Sequence, residues 1–296
     1  MTAGGAALHP AVQQIDRAAM QRWLPQLDAW LLDGHFYGAQ HTWPQLYRSD
    51  GEGLFFVRLD GDDLVSHCAC RIVTLHTANG PVRACLLGSV ATDPDQRGRG
   101  HASEVLAAAL AATGPFADLT LLWAERPELY ARHGFVAGAP ETCLVLARRP
   151  RPDLTGVRLA EPRDHATLHA LHERKPWRVE RSPFTMSGLL TTPGMSTVVL
   201  EEKGHVIAYA CCGKGADLQG HWHELGGSDA ALARLLPAAL HTADQIEAFL
   251  LLPPYRAELR ERLGAAVTAE VLVSGPMQRT ADGAPMLLWV DGLDSV

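Results

Sequence analysis

The residues with the clearest chemical potential stand in a short loop between an apolar run and a helix-forming run. The loop reads Arg-Gly-Arg-Gly at positions 97–100, after the apolar residues 85–90 and before the alanine-rich residues 103–110. Glycines let backbone N–H groups converge on phosphate oxygens, and the positive end of a helix dipole favours an anion. The two arginines add positive charge at the same place. The loop therefore predicts a site for a cofactor that carries a diphosphate.

A second pattern downstream strengthens this interpretation. Residues 97–102 read Arg-x-x-Gly-x-Ala, which matches the Q/R-x-x-G-x-G/A signature of the GCN5-related N-acetyltransferases (GNAT). Thirty residues after Gly100, Tyr130 stands four residues before a Gly-Phe pair, as in the second signature of that family. Two signatures in the right order are stronger evidence than either alone. The chain resembles the GNAT family over residues 54–147.

The resemblance implies acetyl-CoA as co-substrate and no metal ion. Its pyrophosphate would lie on the glycine loop, and its pantetheine arm would run beside the strand at residues 90–92, which splays from the strand at 119–123. A backbone N–H near Val90 or Ala91 would hold the developing oxyanion. The cofactor-binding residues implied in this way are Val90, Ala91, Thr92, Arg97, Gly98, Arg99, Gly100, His101, Ala102 and Ser103.

In the reaction that the resemblance implies, a neutral amine attacks the thioester directly and coenzyme A leaves as a thiolate. Tyr130 matches the family's position for the group that protonates the thiolate. The alternatives are that it only packs against Phe135 and Leu129, or that it touches the cofactor sulfur. Related enzymes often use a glutamate as the general base that deprotonates the amine, on the strand that here spans 85–90. This strand has no carboxylate. The candidates for the base stay open: Ser89, His67, His41, Glu125, a chain of water molecules or the carboxylate of Val296.

The expected function is therefore an N-acyltransferase that acts on a small-molecule or peptide amine. A non-catalytic acyl-CoA sensor or interaction protein is an alternative, because the base is missing from its usual strand. A dinucleotide-dependent oxidoreductase is a weaker one. An acidic residue, Asp118, lies about twenty residues after the glycine loop, as the dinucleotide-binding fingerprint requires for the ribose. However, the loop lacks the third glycine of that fingerprint, and Asp118 precedes the next apolar strand, whereas the fingerprint places the acid at the end of that strand.

The elements that position these residues occur twice along the chain. A hairpin pattern at 57–70 recurs at 199–212, and three later segments (106–110, 119–123 and 133–134) recur 130 positions further on. The second copy has no arginine among its glycines and carries Arg260 at the tyrosine position. We therefore expect tandem GNAT-like domains, intact at 1–150 and degenerate at 151–296. Each is expected to be α/β, with a mixed, mostly antiparallel sheet flanked by helices.

Two further segments are interpreted with less specific patterns. The region Val12–Leu32 has apolar residues at helical spacing and predicts an amphipathic helix pair. The aromatic cluster around His35 and His41 could line an acceptor site or pack a helix on the sheet.

Composition limits the partners and the compartment. A formal net charge of −7 argues against nucleic acid or an anionic membrane as the main partner. No apolar run reaches membrane-spanning length and no signal-peptide pattern is recognised, so we expect a cytoplasmic protein whose oligomeric state the sequence leaves open. The six cysteines lie in apolar runs and are expected to be reduced core residues. The pair His221 and His223 could bind a metal, but this is the less favoured interpretation.

Overall fold

The computed structural model describes residues 11–296, which form two mixed β-sheets with helices on their faces. The strands are β1 (Val12–Ile15), β2 (Leu54–Asp60), β3 (Asp63–Thr77), β4 (Gly80–Thr92), β5 (Leu119–Leu122), β6 (Val136–Ala137), β7 (Glu141–Ala147), β8 (Val157–Leu159), β9 (Arg178–Val179), β10 (Ser196–Glu202), β11 (His205–Cys212), β12 (His221–Gly227), β13 (Glu247–Leu252), β14 (Val267–Val273) and β15 (Met277–Thr280). The α-helices are α1 (Arg17–Met20), α2 (Leu24–Leu32), α3 (Ala39–Thr42), α4 (Pro44–Tyr47), α5 (His101–Thr113), α6 (Pro127–Ala131), α7 (His165–Glu173), α8 (Pro183–Leu190), α9 (Asp229–Thr242) and α10 (Ala257–Leu263). Short 3-10 helices lie at Gln21–Trp23, Pro94–Gln96, Gly114–Phe116, Pro162–Asp164 and Gly264–Ala266.

The same order of elements builds both sheets. The first sheet runs β1-β2-β3-β4-β5-β15-β6, with β9 paired to β3, and the second runs β14-β7-β13-β12-β11-β10-β8. In the first sheet β4 and β5 are parallel, and in the second β12 and β13 are parallel, while the other pairs are antiparallel. The expected α/β class with mixed, mostly antiparallel sheets is confirmed.

The two sheets exchange one strand each. Strand β7 lies in the second sheet between β13 and β14, whereas β15, from the end of the chain, lies in the first sheet between β5 and β6. Each exchanged strand covers the edge that the parallel strand β5 or β13 would otherwise expose. The division at residue 150 therefore describes the order of the two halves along the chain and not the strands of each sheet.

The beginning of the described chain differs from the expected helix pair. Residues Val12–Ile15 are a strand that pairs with β2, with Val12 opposite Arg58. The helix prediction is wrong for this segment because the edge of β2 offers backbone hydrogen bonds, and because Asp16 caps the first helix. The Ala19 N–H donates to the Asp16 Oδ1 atom at 2.7 Å, so the helix begins only at Arg17.

Helices and the C-terminal segment cover the sheets on both sides. One face of the first sheet packs against α2 and residues 286–296, and its other face packs against α5. The second sheet is covered by α9 and α10 on one side and by α7 and α8 on the other. All six cysteines are free and buried, as expected. Within residues 11–296, every helix is too short or too polar to cross a bilayer.

Candidate functional site

The glycine loop leads directly into the longest helix of the first half. Gly98 and Gly100 have φ angles of +79° and +89°, a region in which other residues are strained. A Cβ atom built on either glycine meets no atom within 4 Å. The glycines are therefore required by the backbone conformation, and the side of the loop that a ligand would approach is open.

The first turn of α5 has free hydrogen-bond donors. The Glu104 N–H donates to the Gly100 carbonyl at 3.2 Å, but within residues 11–296 the amides of Gly100, His101, Ala102 and Ser103 find no acceptor. Such donors at a helix start, reinforced by the helix dipole, suit a phosphate oxygen. This part of the chain therefore fits the diphosphate that the sequence predicts.

Both loop arginines keep their charge available. The Arg97 Nε atom donates to the Thr92 carbonyl at 3.3 Å, and an Arg99 nitrogen donates to Gln96 Oε1 at 2.7 Å. Neither guanidinium forms an ion pair with any carboxylate of residues 11–296. Arg97 is thus fixed by a neutral partner beside the cradle, where an anion can still approach it.

The strands β4 and β5 separate at the position that the family resemblance implies for the pantetheine arm. They pair only from Ala84 opposite Leu119 to Leu86 opposite Leu121, although β4 continues to Thr92. On its other edge β4 stays paired with β3 as far as Thr92. The segment 90–92 therefore borders an opening between two strands of one sheet.

A backbone bulge lies inside this opening. Ser89 has a φ of +45°, and the pairing of β4 with β3 shifts register there. The His67 Nδ1 atom lies 2.9 Å from the Ser89 carbonyl, which can only accept, so Nδ1 carries the proton. The Tyr47 hydroxyl lies 2.6 Å from Ser89 Oγ. Burial lowers the pKa of His67 to about 4 and raises the pKa of Tyr47, so both groups are neutral at pH 7 and hold the bulge.

Tyr130 lies on the short helix α6, three residues before His133, which contacts the first turn of α5. Its ring packs edge-on against Phe135 with centroids 6.1 Å apart, and its hydroxyl has no hydrogen-bond partner within the described chain. Burial raises the pKa of Tyr130 to about 12, so the hydroxyl stays protonated. His133 joins the two signatures, because its Nε2 atom lies 3.1 Å from Ser103 Oγ in the first turn of α5. The packing role is therefore present, and the proton remains available.

One half-buried carboxyl near the opening was missed by sequence reasoning. Glu141 begins β7, and Trp123 directly follows β5. Burial raises the pKa of Glu141 to about 7, against the smaller opposing effect of the Trp123 side chain. The signal in the sequence was an acidic residue at the head of an otherwise apolar run.

The remaining base candidates lie in different surroundings. Glu125 is exposed, and the ring of His41 lies 6.0 Å from Tyr37. Val296 reaches the bulge from the face of the sheet opposite to α5. A Cβ built on Gly88 would lie 2.3 Å from the Val296 carbonyl carbon, so only glycine fits there.

The second half does not reproduce the cradle. Helix α9 begins after Ser228, whose hydroxyl accepts from the Ala231 N–H at 3.2 Å, and Asp229 occupies its first turn. An Arg256 nitrogen lies 2.5 Å from the Asp229 carboxylate. The donors at this helix start thus have a carboxylate of their own chain beside them, which would repel a phosphate.

In the described chain, the surroundings of the histidine pair in the second half do not indicate a metal site. His221 stacks on Phe249 with centroids 5.2 Å apart, and His223 is buried, which lowers its pKa to about 3. Within residues 11–296, neither histidine belongs to a group of three possible metal ligands.

Comparisons with known proteins show which family and which solved structures the chain is similar to. Residues 13–138 match the family described as Acetyltransferase (GNAT) domain, and no curated protein matches the sequence. A probable N-acyltransferase of unknown function from Enterococcus faecalis is similar in structure, with 13% identity, a TM-score of 0.69 and coverage of 92% of this chain and 72% of that chain. A GCN5-related N-acetyltransferase from Kribbella flavida has 17% identity and a TM-score of 0.62, with coverage of 92% and 71%. Eis1 from Mycobacterium abscessus has 16% identity and a TM-score of 0.61, with coverage of 92% and 74%.

The family match concerns the first half of the chain, and the structural matches show the fold of nearly the whole chain. Residues 13–138 are similar to the acetyltransferase (GNAT) domain family. The fold of the two sheets together is shared with proteins described as N-acyl- or N-acetyltransferases. Both findings support an acyltransferase.

Proposed function

We propose that this protein transfers an acetyl group from acetyl-CoA to the amine of a small molecule or peptide. The observation that carries the proposal is the free cradle at the start of α5 beside the opening between β4 and β5. A diphosphate carrier with a long flexible arm fits both features at once. The GNAT domain at residues 13–138 supports the same donor, since that family generally uses acetyl-CoA.

Each part of the site has a defined task in the proposed reaction. The amides of residues 100–103 and the two loop arginines bind the diphosphate, and the edge of β4 at 90–92 aligns the arm. The amine nitrogen attacks the thioester carbonyl, whose oxygen becomes negative and is held by a backbone N–H near Val90 or Ala91. The C–S bond then breaks, and Tyr130 gives its proton to the leaving sulfur. The amine loses one proton, which restores Tyr130 through solvent.

The second half is proposed to be a degenerate copy that binds no cofactor. Its helix start is blocked by Asp229, and Arg260 stands where the first half has its tyrosine. It contributes β13 and β14 as partners for β7.

The dinucleotide alternative loses the observation that suggested it. Asp118 accepts from the Arg83 N–H at 3.0 Å, at the beginning of β4 and β5, whereas the glycine loop follows the end of β4. Asp118 is therefore at the far end of the strands from the loop and cannot bind a ribose whose phosphates lie there.

Calorimetry with acetyl-CoA and release of free thiol with a panel of amines test the proposal. We expect binding by the wild type, weaker binding by Arg97→Ala, and turnover of at least one amine. A wild-type protein that binds no acetyl-CoA contradicts the proposal. Tight binding without turnover of any amine supports the sensor alternative.

A further inference from the structure

A network of buried charges fills the space between the second sheet and the C-terminal segment. Glu224 on β12 accepts from Lys175 Nζ at 3.0 Å, from two nitrogens of Arg181 at 2.8 Å each and from the Tyr209 hydroxyl at 2.8 Å. Arg181 also donates to Asp294 from Nε at 2.9 Å. Burial alone would neutralise Glu224, but Arg181 and Lys175 hold its pKa well below its usual range. All these side chains are therefore charged or hydrogen-bonded in the core.

The network is balanced only when residues 291–294 are in place. Asp291 lies 2.9 Å from Lys175, and Asp294 lies between Arg181 and Arg71 of the first sheet, the latter at 3.5 Å. Three cations then face three carboxylates: Lys175, Arg181 and Arg71 against Glu224, Asp291 and Asp294. A buried charge without its partner is strongly destabilising, whereas a complete pair adds little stability over an apolar core. Such a network therefore specifies where this segment lies more than it stabilises the fold.

The network fixes Asp294, two residues before Val296, which lies beside the bulge. Lys214 Nζ donates to both the carbonyl and the hydroxyl of Ser295 at 2.9 Å each. The next residue, Val296, lies against Gly88, which directly precedes the bulge at Ser89. The second half thus holds the end of the described chain at the opening of the first half.

The same cluster contains three possible metal ligands, but it has no room for a cation. The ligand atoms of His172, Glu224 and Asp291 lie within 4.8 Å of one another. Lys175 Nζ is 3.0 Å from Glu224 and 2.9 Å from Asp291, so the ammonium group already occupies the position of the cation.

We propose that Asp294, Arg181 and Lys214 are positioning residues, which hold residues 294–296 against the β4 bulge and so shape the side of the transfer site that the amine approaches. This inference rests on the proposed acetyl transfer. It also gives the second half a task, although that half lacks a cradle. Amine turnover depends on a correctly held segment, while acetyl-CoA binding, on the α5 side, does not.

The experiment compares Asp294→Asn with Asp229→Asn in the full chain. Asp294→Asn removes the charge that pairs with Arg181 and keeps the shape of the side chain. Asp229→Asn is the matched control, because it breaks an ion pair of the same half that does not touch residues 286–296. The measurements are amide hydrogen exchange of residues 288–296, kcat and KM with a turned-over amine, and acetyl-CoA affinity by calorimetry.

For Asp294→Asn we expect at least tenfold faster exchange in residues 292–296 and at least tenfold lower kcat, with acetyl-CoA affinity within twofold of wild type. The control should keep wild-type exchange in that segment and wild-type kcat. Lys214→Met serves if Asp294→Asn does not fold, since it replaces one buried ammonium by an apolar chain and leaves the three carboxylates paired. It should loosen residues 295–296 and lower kcat in the same way.

The results separate the two proposals. Unchanged exchange, or faster exchange with unchanged kcat, overturns the positioning role while acetyl transfer by the wild type stands. A wild type that transfers no acetyl group to any amine overturns the proposed function and the positioning role with it.

Discussion

Replacement of Gly100 by alanine is the sharpest test of the cradle. The residue has a φ of +89° and a ψ of 0°, and a Cβ there meets no atom within 4 Å. The only cost of the methyl group is therefore backbone strain, about 1–2 kcal/mol for a residue held in the left-handed region. If the free loop keeps its shape, this cost lowers the free energy of unfolding. If the free loop relaxes, binding must restore the strained shape, and the Kd for acetyl-CoA rises by about 5- to 30-fold.

The strain energy is divided between a lower free energy of unfolding and weaker binding of acetyl-CoA, so both must be measured. Calorimetry gives the Kd for acetyl-CoA, and denaturant unfolding gives the free energy of unfolding. Gly114→Ala is the matched control at the other end of the same helix, where φ is −52° and a Cβ is also unobstructed. It should leave the Kd unchanged and stabilise slightly, because alanine has less freedom than glycine in the unfolded chain. If Gly100→Ala matches wild type in both affinity and stability, the strained loop does not exist in solution.

Three further changes test the surrounding groups. Tyr130→Phe should lower kcat by about 100-fold or more with an unchanged Kd for acetyl-CoA, as expected for a lost proton donor. Because the pKa of Tyr130 is about 12, the wild-type pH profile should show no loss of activity from this group below about pH 11. An undiminished kcat in the variant would limit Tyr130 to packing. Burial raises the pKa of Glu141 from 4.5 to about 7, so the stability from its protonated form is complete below pH 4.5 and is lost as the pH rises through 7, by about 3 kcal/mol. Glu141→Gln should remove this loss, measured by denaturant unfolding at pH 5 and pH 8. An identical pH dependence in both proteins would contradict the raised pKa of Glu141. Tyr47→Phe leaves the buried Ser89 hydroxyl without its partner, which should cost about 1–3 kcal/mol in unfolding free energy and lower kcat through the bulge; equal kcat values would show that the bond does not hold the bulge.

The local conformation of the site could be predicted from the sequence because it depends on neighbours along the chain. Two glycines before an alanine-rich run imply a left-handed turn and a helix start, and the structure has both at Gly98, Gly100 and α5. The hairpins β2–β3 and β10–β11 follow in the same way from apolar runs around polar turns. The roles of the individual residues in binding and catalysis stay predictions.

The exchange of strands could not be predicted, because periodicity does not say which edge a strand will join. The apolar run of β7 suits either sheet, and only the three-dimensional arrangement directs it to β13. Similarly, Asp291 and Asp294 look like surface residues in the sequence. Their cationic partners Lys175 and Arg181 lie more than one hundred residues earlier, so nothing local reveals that these acids are buried.

The strand exchange also determines when the first sheet can be completed during synthesis. Leu122 pairs with Met277, so this contact spans more than half of the chain. While the ribosome makes the intervening residues, the nascent β5 has an unpaired edge that another chain could join. Strand pairing between residues that are so far apart in the sequence forms slowly. Chaperones that shield a strand edge should therefore raise the yield of native protein, and the first sheet is complete only after translation has passed residue 280.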